Sequence, residues 1–169
     1  MNPMSILVAG IGNVLLGDDG FGVCVVKKLL TRQMPEHIHV VDFGIRGMDL
    51  VYRLLKGYDI VVMADVIQRG GAPGSIYIIE PDLNSLQQLP HQNVPMEAHG
   101  MTPAKVFGLL HMMGGALPKH ARLVGCEPES FGLEEGGRMG LSGPVEGAVD
   151  EAAAIIEELL QTLPACAHA

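Results

Sequence analysis

Three short apolar runs set the limits on this chain: Ser5–Gly10 (SILVAG), Asp59–Asp65 (DIVVMAD) and Ala121–Cys126 (ARLVGC). Each is too short for a buried helix and is bounded by glycine, aspartate or other turn residues, which reads as a strand buried on both faces. Strands of that kind belong to parallel sheets covered by helices. The segments between them carry the other period. After Asp18-Asp19-Gly20, apolar Phe21, Cys24, Val25 and Leu29 recur at helical spacing. Thr102-Pro103 opens a helix with Val106, Leu109, Leu110 and Met113 on one stripe. Val145, Val149, Ala152, Ile156, Leu159 and Leu163 mark a last helix. Ile38–Asp42 and Ser75–Glu80 read as further strands, Met48–Leu55 as a short helix, 81–98 as a long irregular connection, and 164–169 as a disordered tail.

The expectation is an α/β fold over residues 1–169: one domain, a three-layer sandwich with a mostly parallel twisted sheet of about five strands and helices on both faces. Functional loops in such sheets gather at the carboxyl ends of the strands. Glycine is concentrated in two such places, Gly10–Gly22 and Gly132–Gly147, out of 22 in the chain.

Charge and cysteine narrow the function classes. Lys and Arg total 11 against 19 Asp and Glu, a net charge of −8 with no basic cluster, which disfavours nucleic acid and anionic membranes as partners. No run of 18 apolar residues occurs. Cys24, Cys126 and Cys166 are odd in number and widely spaced, which fits a reducing cytoplasm and not a disulfide framework.

Gly10-Ile11-Gly12 between a strand and a helix suggests a dinucleotide site, with Asp42 as the ribose acid. Against it, the third glycine of the fingerprint falls on Leu15, and Asp18-Asp19 occupy the helix start where a pyrophosphate would bind. Acids at that place cap N–H groups and complement the dipole. One suffices for the cap, and successive residues point about 100° apart, so the other faces elsewhere. Asp65 ends a buried strand. It either caps a turn or, if the first and third strands are parallel neighbours, shares a sheet edge with Asp19. Of seven histidines, His37, His39 and His120 read as solvated, His111 as packed in a helix, and His91 and His168 as lying in irregular chain. His99, three residues before the Thr102 cap, is the best ligand candidate. Asp19, Asp65 and His99 would suit a borderline divalent ion such as nickel, zinc or manganese. Cys126 reads as a small buried hydrophobe.

The ordered blocks Gly10-Ile11-Gly12-Asn13, Gly17-Asp18-Asp19-Gly20-x-Gly22, Asp42-x-Gly44-x-x-Gly47, Ala64-Asp65, Pro73-Gly74, His99-Gly100-Met101 and Gly125-x-x-Pro128-Glu129-Ser130 resemble the hydrogenase maturation endopeptidases. The resemblance spans about Ser5 to Leu163. It implies an endopeptidase that removes a C-terminal extension from a nickel–iron hydrogenase large-subunit precursor after nickel insertion. It carries family metal ligands and catalytic roles onto Asp19, Asp65 and His99, with nickel supplied by the substrate. It makes Asp42, Gly44 and Gly47 a substrate-recognition loop, and it implies a cytoplasmic protein that is monomeric at rest. The alternatives are a non-catalytic nickel-binding scaffold and a dinucleotide-dependent oxidoreductase. The resemblance assigns nothing to residues 131–143.

Overall fold

The computed structural model describes residues 3–88, 101–133 and 136–166. In chain order the elements are β1 (Ile6–Ile11), a 3-10 turn (Gly17–Gly20), α1 (Phe21–Leu30), β2 (Ile38–Gly44), α2 (Gly47–Leu54), β3 (Ile60–Val66), β4 (Ile76–Ile79), α3 (Leu83–Gln87), α4 (Pro103–Met112), β5 (His120–Cys126) and α5 (Gly143–Cys166). The sheet order is β2-β1-β3-β5-β4. The first four strands of that order are parallel, and β4 closes one edge antiparallel to β5.

The three apolar runs are the three central strands, and every residue of β1 is buried. One face of the sheet packs against α1 and α5 through Phe21, Val25, Leu29, Ala152 and Ile156. The other packs against α2 and α4 through Leu50, Leu54, Val106, Phe107 and Leu110. Ion pairs Lys28–Asp150 and Arg32–Glu157 join α1 to α5 along the outside. No helix among the described residues is long and apolar enough to cross a membrane.

The Thr102 cap forms as expected: the Lys105 N–H donates to Thr102 Oγ1 at 3.3 Å. Three expectations change. The connection after β4 holds a short helix, α3, capped by Asp82, whose carboxylate accepts the Ser85 N–H. β2 runs on to Gly44, past Phe43 where the loop was expected to begin, and its register with β1 slips there: Gly10 faces Asp42 but Ile11 faces Gly44. Phe43 is thus the extra residue of a β-bulge, a device that re-aims side chains at the end of a strand. The segment from 164 to 166 is helical and not a frayed tail, since α5 continues through Pro164. Leu160 and Leu163 are buried in the core there, and that packing holds the last turn against the helix-breaking proline.

Candidate active site

β2, β1 and β3 end side by side, with Asp42, Gly10 and Ala64 at one level of the sheet. Asp65 stands one residue further along β3. The chain leaving β1 turns through Asn13–Leu16 into the 3-10 turn that carries Asp18 and Asp19. The conditional reading of Asp65 is met: β1 and β3 are parallel neighbours, and Asp19 and Asp65 line one cleft of about 450 Å³ with Asn13, Leu16, Gly47 and Met101.

The first glycine cluster makes this closeness possible. A Cβ on Gly22 would lie 2.1 Å from the Ala64 carbonyl oxygen and 2.3 Å from that of Ile11. A Cβ on Gly12, at φ +141°, would lie 1.8 Å from the Asp19 carbonyl oxygen. The start of α1 therefore rests directly on the strand ends, backbone against backbone.

The two neighbouring aspartates part company. Asp18 is fully buried and caps nothing in its own turn, contrary to the expectation of a capping Asp18. Its Oδ2 accepts the N–H of Glu129 (2.7 Å), the N–H of Ser130 (3.0 Å) and the hydroxyl of Ser142 (2.9 Å), while Oδ1 accepts the Ser142 N–H (2.6 Å). The reason is where those donors sit: they lie in the connection between β5 and α5, off any helix or sheet ladder, and a carboxylate satisfies them at once. Burial alone would raise the Asp18 pKa, but these hydrogen bonds outweigh it and hold the carboxyl below its ordinary range.

Asp19 points into the cleft. Its Oδ2 accepts the Asn13 N–H at 2.9 Å. Burial raises its pKa against that bond. That N–H belongs to the turn a pyrophosphate would need, so the loop is a carboxylate holder and not a phosphate cradle. Asp65 Oδ1 accepts the Val66 N–H at 2.8 Å. Burial, with the Asp19 charge adding to it, pushes the Asp65 carboxyl up to about 8. Burial thus disfavours the charged form of both carboxyls, and of Asp65 the more strongly.

His99 and His91 lie outside the described residues. Met101, two positions after His99, lines the cleft and packs against Gly47, where a Cβ would lie 2.2 Å from Met101 Cγ. Among the described residues no cluster of three His, Cys, Asp or Glu side chains is placed to hold a metal. Of the expected recognition loop, Gly44 and Gly47 line the acid cleft, and Asp42 lines the adjoining one. Cys126 is buried as expected, and its thiol is pushed up to about 12 by burial and by the carboxylates of Asp18 and Glu127, so it offers no nucleophile. His39 departs from the solvated reading: its Nδ1 pairs with the Tyr58 hydroxyl at 2.8 Å.

Glu127 was not among the residues singled out from the sequence. Its buried carboxylate accepts the N–H groups of Arg69 (2.9 Å) and Gly70 (3.1 Å) and the Tyr77 hydroxyl (3.1 Å), which fixes the turn after β3. The signal was its place immediately after the buried strand β5, next to β3, whose penultimate residue is Asp65.

A family model described as hydrogenase maturation protease, HycI, matches residues 23–159. The hydrogenase 2 maturation protease of Escherichia coli is 32% identical over 165 residues, covering 95% of this chain and 91% of that protein. The solved structure of the hydrogenase maturating endopeptidase HybD from E. coli superposes with a TM-score of 0.71 at 29% identity, covering 94% of each chain. A hydrogenase 2 maturation peptidase from a Thaumarchaeota archaeon superposes at 0.72 with 30% identity, covering 93% of this chain and 98% of that one.

Proposed function

This chain belongs to the hydrogenase maturation protease family, and on that premise we propose that it removes the C-terminal extension of a nickel–iron hydrogenase large-subunit precursor once nickel is in place. The observation that carries the reading is the Asp19–Asp65 pair. Each carboxylate has one oxygen held by a backbone N–H (Asn13 for Asp19, Val66 for Asp65), which orients the other toward a common cleft. Two carboxyls whose charge burial disfavours, facing one cleft, would be stabilised by a divalent cation arriving with the substrate. Hard carboxylates with one imidazole are a donor set that nickel accepts, and His99 is proposed as that imidazole.

In this reading the nickel is substrate, already bound by the precursor. A precursor without it lacks the anchor, so metal occupancy gates cleavage. Nickel supplies Lewis-acid polarisation of the scissile carbonyl or of a water. Asp19, Asp65 and His99 would hold the substrate's nickel, and one of the two carboxylates would help to move the proton. The same reading has the protein work in the cytoplasm, as a monomer at rest; the free thiols of Cys24 and Cys126 suit that compartment.

The test is cleavage of nickel-loaded and metal-free precursor by wild type and by Asp19→Asn, Asp65→Asn and His99→Ala. Wild type should cleave only the loaded form, and the variants should fail on it. Equal cleavage of the metal-free precursor overturns the gating, and full activity in all three variants overturns the site.

A further inference from the structure

A second cleft, of about 470 Å³, opens beside the acid one and shares Gly12, Asn13, Gly44 and Ile45 with it. The two form one trough with an acidic end and an end of different character. The second end is walled by Val14, Leu15, Val23, Phe43 and Ile45, and the charged residues Lys27, Asp42 and Arg46 also line it. Three of the eleven large apolar side chains exposed among the described residues, Val14 (38%), Leu15 (57%) and Ile45 (76%), stand together here. Scattered exposed apolar residues are ordinary, but ones gathered on facing walls of a cleft mark a binding surface.

The walls are fixed before any ligand arrives. The Gly12 N–H donates to the Gly44 carbonyl at 3.0 Å across the floor. The Arg46 guanidinium donates to the Asp42 carbonyl at 2.8 Å. The Phe43 bulge turns this end of β2 toward the trough. Lys27 makes no ion pair among the described residues.

We infer that the apolar end of the trough is a side-chain subsite for the precursor segment next to the scissile bond, taking an aliphatic or thioether side chain in preference to a charged one. This rests on the reading of Asp19 and Asp65 as the anchor for the precursor's nickel. A chain anchored at the acidic end can continue into a neighbouring cleft that shares its walls, and the most exposed side chains there, Leu15 and Ile45, offer apolar contact. Lys27 at the rim adds attraction for a carboxylate further along the same segment.

The experiment uses nickel-loaded precursor with each residue flanking the scissile bond replaced in turn by Leu, Asp and Lys, cleaved by wild type, Leu15→Asp and Ile45→Asp. Both substituted positions are exposed, so the fold tolerates them. Ile78→Asp, at a side chain equally exposed on β4 at the opposite edge of the sheet, is the control. We expect wild type to prefer Leu over Asp at one flanking position. Leu15→Asp and Ile45→Asp should raise KM about ten-fold with little change in kcat, weaken that preference, and keep the strict need for nickel. Ile78→Asp should behave as wild type. Unchanged KM in both trough variants, or equal cleavage of the Leu, Asp and Lys precursors at every position, overturns the subsite. Loss of nickel dependence in wild type would instead overturn the anchor.

Discussion

Asp18 and Asp19 are consecutive residues of one four-residue turn, yet their surroundings have little in common. Asp18 gathers four hydrogen bonds from residues 129–142, is sealed from water, and stays charged. Asp19 receives one, from Asn13, and opens on a cleft where burial raises the cost of its charge. The difference separates two uses of a carboxylate: as a structural acceptor whose every lone pair is taken, and as a reactive group with an oxygen in reserve. In the proposed function the unsatisfied one meets the substrate, and the satisfied one holds the turn that carries it.

That contrast breaks most visibly through Asp18. Asp18→Ala strips the acceptor from three N–H groups and a hydroxyl, and should cost about 3–5 kcal/mol in urea unfolding. A loss under about 1 kcal/mol would mean the clamp is ornamental. The mirror experiment is Asp19→Asn. It should reduce cleavage of the loaded precursor by about 100-fold or more and leave unfolding within about 0.5 kcal/mol of wild type.

The pH dependence sharpens the same contrast, because the shifts have opposite signs. Asp18 sits below its unfolded pKa, so its stabilisation is complete above the ordinary carboxylate range and is lost as pH falls beneath it. Asp65 sits above its unfolded pKa, so the native state holds a proton that the unfolded chain releases. Its contribution to stability therefore declines as pH rises from about 4 to about 8. Thermal unfolding from pH 5 to pH 8.5 should show a decline in wild type that Asp65→Asn lacks. Parallel curves would mean that Asp65 is not held protonated by burial.

The smallest effects lie at the margin of the comparison. Ser142→Ala removes one of Asp18's four donors and should cost about 1 kcal/mol. Lys119→Ala breaks an exposed pair with Asp59 (2.9 Å) far from the site, and should cost less than about 1 kcal/mol. If Lys119→Ala proved the more damaging, the ranking of buried over exposed carboxylates would be reversed.

What could be read from the sequence follows the same division. Continuous apolar runs revealed β1, β3 and β5, and an Asp at the end of such a run beside a parallel neighbour brought Asp65 to Asp19's edge. Thr102-Pro103 revealed the start of α4. These signals are local, since period and capping are written within a few residues. Asp18 carries the opposite lesson. Its partners lie 111 to 124 residues away in a glycine-rich loop with no period of its own, so a cap was the natural reading. Ser142 stands where a helix cap would and sends its hydroxyl to Asp18 instead. The Phe43 bulge was hidden for a related reason: register belongs to the pair of strands, and neither strand states it alone.

The length of the Asp18 clamp also sets an order of assembly. Asp19 and Asp65 are both present once β3 exists, but the donors that fix the Asp19 turn come from the last third of the chain. Closing a loop of more than a hundred residues is a late event in folding, rewarded only when the elements around it are in place. A chain emerging from the ribosome thus carries both carboxylates long before the turn that positions Asp19 is clamped, and the proposed site is complete only once the segment before α5 is in place.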